Sequence, residues 1–345
     1  MSDSVETWRP ADPPRPLGSL LRIVLATIGE GLRCVARRLA SGPLHDGWSF
    51  SLELFVSVQR GAWGLIASEG VVNWRHAIEG LVTPKTPGAR RSASAEGGIA
   101  GDEFLPTEGV PAEAEGCLIL YLHGGAYIFG SSDTHAPILG ELARRTRLRV
   151  FAPDYRLAPE YPQPAAEEDA LAAYRGLIER GVSPQQIVIA GDSAGGNLAL
   201  VTLLRLRAAG DPLPAAAVLI CPWTDLSCSG KSFESNAAFD YISLEAARLA
   251  ASEYLGDTDP KDPAVSPLYA DLAGLPPLLI QAGGAETLRD QIVKFGERAS
   301  AAGVDTQLSV YENMIHDWQM FSFIPQAGHA LAEIAVFVDE RTRVE

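Results

Sequence analysis

The feature that most constrains this 345-residue chain is a glycine-dense turn set between two apolar segments of different period. Gln186-Ile187-Val188-Ile189-Ala190 is a short β-branched run, as expected of a strand buried on both faces. Asn197-Leu198-Ala199-Leu200-Val201-Thr202-Leu203-Leu204-Arg205 reads as a helix with an apolar face. Between them stands Gly191-Asp192-Ser193-Ala194-Gly195-Gly196, a G-x-S-x-G match. By itself the pattern is weak, because 33 glycines make chance matches easy and an ordinary glycine-rich turn is the plain reading. Strand, tight turn and helix in sequence give it a mechanical meaning. The small neighbours let Ser193 take a strained backbone at the tip of the bend. The Ala194 N–H falls at a helix N-terminus, where it can face developing negative charge.

A second glycine motif, His123-Gly124-Gly125, follows the apolar run Leu118–Leu122. Backbone N–H groups on such a loop can form an oxyanion hole. An attacking serine and a place for negative charge together point to acyl transfer. Serine then needs a base, usually a histidine oriented by a carboxylate. The six histidines are His45, His76, His123, His135, His316 and His329. His123 opens the glycine motif and reads as a brace for that loop, while His329 reads as solvated on the last helix. His316 follows the strand-like run 307–311 near the C-terminus, where the order Ser, acid, His puts the base. For the acid, the run 278–281 is followed by Ala282-Gly283-Gly284-Ala285-Glu286-Thr287-Leu288-Arg289-Asp290. Glu286 and Asp290 compete. Glu286 is favoured because it lies nearer the strand's C-terminal end, where open α/β sheets carry their sites; Asp290 stays the alternative acid.

These motifs, with Asp154-Tyr155-Arg156-Leu157-Ala158-Pro159-Glu160 and Pro222-Trp223-Thr224-Asp225-Leu226, resemble the hormone-sensitive-lipase-like (bacterial family IV) branch of α/β-hydrolase carboxylesterases. The resemblance covers roughly residues 75–338. It implies Ser193 as nucleophile, His316 as base and an oxyanion hole from the N–H groups of Gly124, Gly125 and Ala194. The family's acid is commonly the first Asp of D-x-L-x-D, and here Glu286 holds that place. Ala126 stands where the family often has a third glycine, and Cys221 where it often has serine. The implied chemistry is hydrolysis of short- to medium-chain carboxylic esters through an acyl-enzyme on Ser193. A non-catalytic small-molecule-binding protein, or an acyltransferase or amidase on the same triad, is the alternative.

Strand-like runs at 118–122, 149–152, 187–190, 217–220, 278–281 and 307–311 alternate with helical segments, which predicts a mostly parallel α/β sheet flanked by helices. We expect an N-terminal cap segment over 1–82, a linker over 83–101 and a catalytic domain over 102–345, with a cap insertion at about 226–265. Leu17, Leu20, Leu21, Val24, Leu25, Ile28, Leu32, Val35 and Leu39 share one helical face. That helix, 17–40, is expected to pack over the active site as a cap; contact with a membrane surface is the alternative. Trp48, Phe50, Leu54, Phe55, Trp63 and Phe239 are candidates for an apolar acyl pocket. A net charge of −15 argues against nucleic acid as a partner. The four cysteines lack metal or redox spacing, and no HExxH is present, so no metal or other cofactor is expected. Reduced thiols and the absence of a basic n-region around Asp3 and Glu6 lead us to expect a cytoplasmic location. The partner is then a small-molecule ester, with a homodimer as the family's further suggestion.

Overall fold

The computed structural model describes residues 17–79 and 85–342. Residues 1–16 and 80–82 of the expected N-terminal segment lie outside these, as do 83 and 84 at the start of the expected linker. Eight strands form one sheet: β1 Ala89–Glu96, β2 Ile99–Pro106, β3 Leu118–Leu122, β4 Arg149–Pro153, β5 Ile187–Asp192, β6 Ala216–Ile220, β7 Leu278–Gly283 and β8 Thr306–Tyr311. Their order is β1-β2-β4-β3-β5-β6-β7-β8, and only β2 runs antiparallel to its neighbours. Every residue of β3, β5, β6 and β7 is buried, because helices cover both faces. That is why these strands read as unbroken apolar runs rather than alternating ones.

Four helices follow strands: α5 Ala136–Thr146, α6 Ala165–Glu179, α7 Ser193–Ala209 and α10 Arg289–Ala301. The path from β3 to β4 runs one way along the sheet and the later crossovers run the other. Right-handed connections therefore put α5 opposite α6, α7 and α10. The last helix, α11 Pro325–Thr342, packs on α5. The strand order reverses beside β3, the place where open α/β sheets form a crevice at their carboxyl ends.

The expected linker over 83–101 is corrected by β1 and the start of β2, which form a hairpin on the sheet edge. Their turn is Gly97-Gly98, both with positive φ (57° and 81°), the two-residue turn that matches strand twist. The Ala89–Glu96 sequence hides this strand. It lies on an exposed edge and carries Ala, Arg and Ser instead of large apolar side chains.

The remaining helices lie at the carboxyl end of the sheet or beside it: α1 Leu17–Ser41, α2 Phe50–Trp63, α3 Ile66–Glu69, α4 Val71–Glu79, α8 Ser232–Ser235 and α9 Leu244–Leu255. Ser49 caps α2 by accepting from Leu52 N–H at 3.2 Å. The α1 helix packs along α2, where the fully buried Glu53 carboxylate takes both Arg37 and Arg38. Arg22 pairs with the nearly buried Glu69 at 2.5 Å. These ion pairs fix which way α1 faces. The side carrying Ser19, Ile23 and Cys34 turns inward and the apolar stripe outward, leaving Leu21, Leu25, Ile28, Leu32 and Leu39 53–84% exposed. The expectation that this stripe covers the active site is thus corrected. No helix among the described residues is long and apolar enough to cross a membrane.

Two anchors tie the N-terminal helices to loops at the carboxyl end of the sheet. Trp48 Nε1–H donates to Asn313 O at 2.8 Å, three residues before His316. The buried Arg75 guanidinium donates to Ile128 O and Ala158 O, and pairs with Glu160 at 3.0 Å. These contacts set α2 and α4 over the crevice.

Candidate active site

β5 ends at Asp192, and Ser193 begins α7 with φ of 52°. A left-handed backbone at a non-glycine residue is strained, and strain of this kind is held only where surrounding structure enforces it. Close packing of α7 against β3 supplies the enforcement. A Cβ on Gly195 would lie 2.0 Å from Leu122 O, so the turn closes only with glycine there. Asp192 braces the same corner from below: its carboxylate accepts from Tyr121 O–H at 2.7 Å and from Gly124 N–H at 2.9 Å, and meets His135 Nε2 at 3.2 Å. Burial alone would raise its pKa, but His135 and Tyr121 outweigh that and hold the carboxyl below its ordinary range.

The loops after β7 and β8 bring two further groups to Ser193. Its Oγ lies 2.8 Å from His316 Nε2, and His316 Nδ1 lies 2.7 Å from Glu286 Oε2. The other carboxylate oxygen of Glu286 accepts from Gly283 N–H at 2.8 Å. Ser193, His316 and Glu286 are all buried. Burial pushes Glu286 up to about 7, against the pull of His316. His316 is held well above the ordinary histidine value: burial would lower it, but the charge of Asp317 and hydrogen bonds the ring gives to Asp317, Cys221 and Glu286 prevail. The alternative acid, Asp290, stands elsewhere, accepting from Ser232 N–H at 3.0 Å and pairing with Arg289 at 2.8 Å.

Two groups that sequence reasoning missed hold these loops. Asn236 Nδ2–H donates to Glu286 O at 2.8 Å and Gly284 O at 3.1 Å. Asp240 accepts from Thr287 N–H at 2.8 Å and His316 N–H at 3.3 Å. Both come from the segment between β6 and α9, far from the site in sequence, so no local signal pointed to them.

The N–H groups expected to receive an oxyanion need one correction. Gly124 N–H is already donated to Asp192 and is not free to serve. Gly125 and Ala126 instead line the cavity beside Ser193, and their N–H groups, like that of Ala194, have no partner among the described residues. Ala126 adopts φ of 55°, which turns the chain sharply after the glycine pair. His123 shapes this loop from behind, stacked on Tyr155 at 4.1 Å with Nδ1 2.8 Å from Gly124 O.

Ser193 and His316 open on a cavity of about 220 Å³ with mostly apolar walls. Trp63 from α2, Trp74 from α4, Phe129, Tyr241 and Phe321 supply most of the aromatic surface. Among the expected pocket residues only Trp63 lines it. Trp48, Phe55 and Phe239 pack nearby, and Phe50 is 44% exposed. Among the described residues, none of α1 reaches the cavity.

Known proteins share this plan. Residues 119–320 match the family model described as the alpha/beta hydrolase fold. An acetyl-hydrolase from Streptomyces hygroscopicus is 41% identical over 274 residues, 76% of this chain and 91% of the relative. The ethyl acetate hydrolase of Pseudomonas putida is 34% identical over 239 residues, 67% of this chain and 75% of that enzyme. The crystal structure of an esterase from the bacterial hormone-sensitive lipase family superposes with a TM-score of 0.73 at 36% identity, covering 94% of this chain and 98% of that one. The chain belongs to the α/β-hydrolase fold family, and within it to the hormone-sensitive-lipase-like carboxylesterases.

Proposed function

We propose that Ser193 is the nucleophile of this carboxylesterase, with His316 as its base and Glu286 as the acid that orients the imidazole. The observation that carries this is the unbroken chain from Ser193 Oγ to His316 Nε2 at 2.8 Å and from Nδ1 to Glu286 at 2.7 Å. Ser193 Oγ attacks the ester carbonyl as His316 takes its proton, and Glu286 stabilises the imidazolium that forms. The N–H groups of Gly125, Ala126 and Ala194 receive the oxyanion. His316 then protonates the leaving alcohol, and water repeats the sequence to release the acid and regenerate Ser193.

The substrates are carboxylic esters of short to medium acyl length. The modest apolar cavity supports this, as do relatives named for acetyl and ethyl acetate hydrolysis. A cap built from α2, α4 and the 226–265 insertion covers the crevice; the contact of Arg60 with Ala238 O at 2.7 Å, which joins the two parts, supports it. Four unpaired, buried thiols support a reducing, cytoplasmic compartment.

The test is hydrolysis of p-nitrophenyl esters from acetate to palmitate by wild type and Ser193→Ala. Serine-dependent turnover that peaks at short chains is expected. Equal turnover by the two proteins would overturn the assignment of Ser193.

A further inference from the structure

The catalytic histidine of the proposed triad faces two carboxylates, one on each ring nitrogen. Glu286 takes Nδ1, and Asp317 Oδ2 lies 3.1 Å from Nε2, the same nitrogen that faces Ser193 Oγ at 2.8 Å. Resting on that triad reading, we propose that Asp317 is a positioning residue that competes with Ser193 for His316 Nε2. Its charge raises the proton affinity of this nitrogen and so sets the pH below which the esterase is off.

Three observations separate Asp317 from an ordinary buried aspartate. Its backbone is left-handed, with φ of 49°, immediately after the histidine, so the turn that brings the carboxylate to Nε2 is itself strained. Its N–H is donated to Cys221 Sγ at 3.4 Å, which pins the turn against the end of β6. Most telling is its bonding. Asp192, Asp225 and Asp240 are also buried, and each accepts from at least three protein donors. Asp317 Oδ1 is buried with no partner among the described residues, and Oδ2 has His316. A buried carboxylate oxygen left unpaired costs stability. Asp317 is therefore poorly explained as a fold-stabilising group, and its one polar contact is with the base.

The charges around His316 allow the sign to be worked out. Glu286 faces it from the loop after β7, Asp240 and Tyr241 from the segment before α9, and Cys221 from the end of β6. Beyond Asp317 lie Asp192, His135 and Tyr121. Burial pushes Asp317 up to about 6, while His316 pulls it down. Burial lowers His316, and the charge of Asp317 is the largest influence in the other direction. An ionised Asp317 favours imidazolium, which cannot accept the Ser193 proton. The acid limb of activity thus sits above where Glu286 alone would put it, and removing the carboxylate moves it down.

The experiment is the pH dependence of kcat/KM for p-nitrophenyl acetate at constant ionic strength, on wild type, Asp317→Asn and Asp317→Gly. Both replacements suit a left-handed backbone, so neither adds strain. In both, the acid-limb midpoint is expected to fall by about 1–3 pH units, the usual effect of removing one close opposite charge. A midpoint unmoved or raised in either folded variant overturns the proposal. The wild type gives a second check that needs no variant: its midpoint must lie above the ordinary histidine value of about 6.5, and one below it is fatal. Ser193→Ala separates the two layers. If it still hydrolyses the ester, the triad reading fails; if it is dead while the limb stays put, only the role of Asp317 does.

Discussion

Changing Glu286 to glutamine tests the site at the level of a single proton. Glu286 uses its two oxygens differently: Oε1 accepts from Gly283 N–H at 2.8 Å, and Oε2 faces His316 Nδ1 at 2.7 Å. In Glu286→Gln the Gly283 donor demands the amide oxygen, so the amide NH2 must face Nδ1. Nδ1 then has to accept, and the ring proton moves to Nε2. That nitrogen now presents N–H to Ser193 Oγ where the reaction needs a lone pair. In a serine triad, replacing the acid by its amide costs about 10⁴ in kcat, which is about 5.4 kcal/mol of transition-state stabilisation. KM should change little, because Glu286 does not line the cavity. Steady-state hydrolysis of p-nitrophenyl butyrate reads both constants, with circular dichroism to confirm the fold. Asp290→Asn is the companion variant. It touches Ser232 and Arg289 and should keep kcat within the wild-type order of magnitude. A folded Glu286→Gln enzyme within tenfold of wild type, or an inactive Asp290→Asn, would refute the tautomer argument.

Two further predictions concern how the site is held. In Gly195→Ala the new Cβ would sit 2.0 Å from Leu122 O and 2.4 Å from His123 O, both backbone atoms that cannot rotate away. Overpacking of this sort costs about 1–3 kcal/mol, occasionally more, so the thermal midpoint should drop by several degrees; an unchanged melt would mean that α7 can move off β3 freely. Glu53→Ala leaves Arg37 and Arg38 without their shared carboxylate. Breaking a buried pair costs about 3–5 kcal/mol, at the lower end here because both arginines are partly exposed. Trypsin should then cut at these arginines faster while ester hydrolysis persists, and equal digestion rates would show that α1 is held by other contacts.

The parts of this molecule legible in the sequence are those where one local pattern has one physical cause. Strands β3, β5, β6 and β7 read as apolar runs because both faces are covered, and the turn at Ser193 reads from its small neighbours. The edge strand β1 did not, since an exposed Ala-Arg-Ser strand resembles a linker until its Gly97-Gly98 turn is weighed. Glu286 and Asp290 differ by one helical turn, and only the path of the loop against His316 separates them. The apolar stripe of α1 was plain in its spacing, but its direction was not, because that was settled by Glu53 and Glu69, which bind the opposite face. By itself, then, the sequence determined the sheet, the strained serine turn and the kinds of group that would meet there. Tertiary structure decided which N–H groups stay free beside Ser193, and that Asp240 and Asp317 both converge on His316. The Asp240 contact joins segments distant along the chain, and the Asp317 contact depends on a left-handed turn at a non-glycine residue; no periodicity or spacing within one segment encodes either.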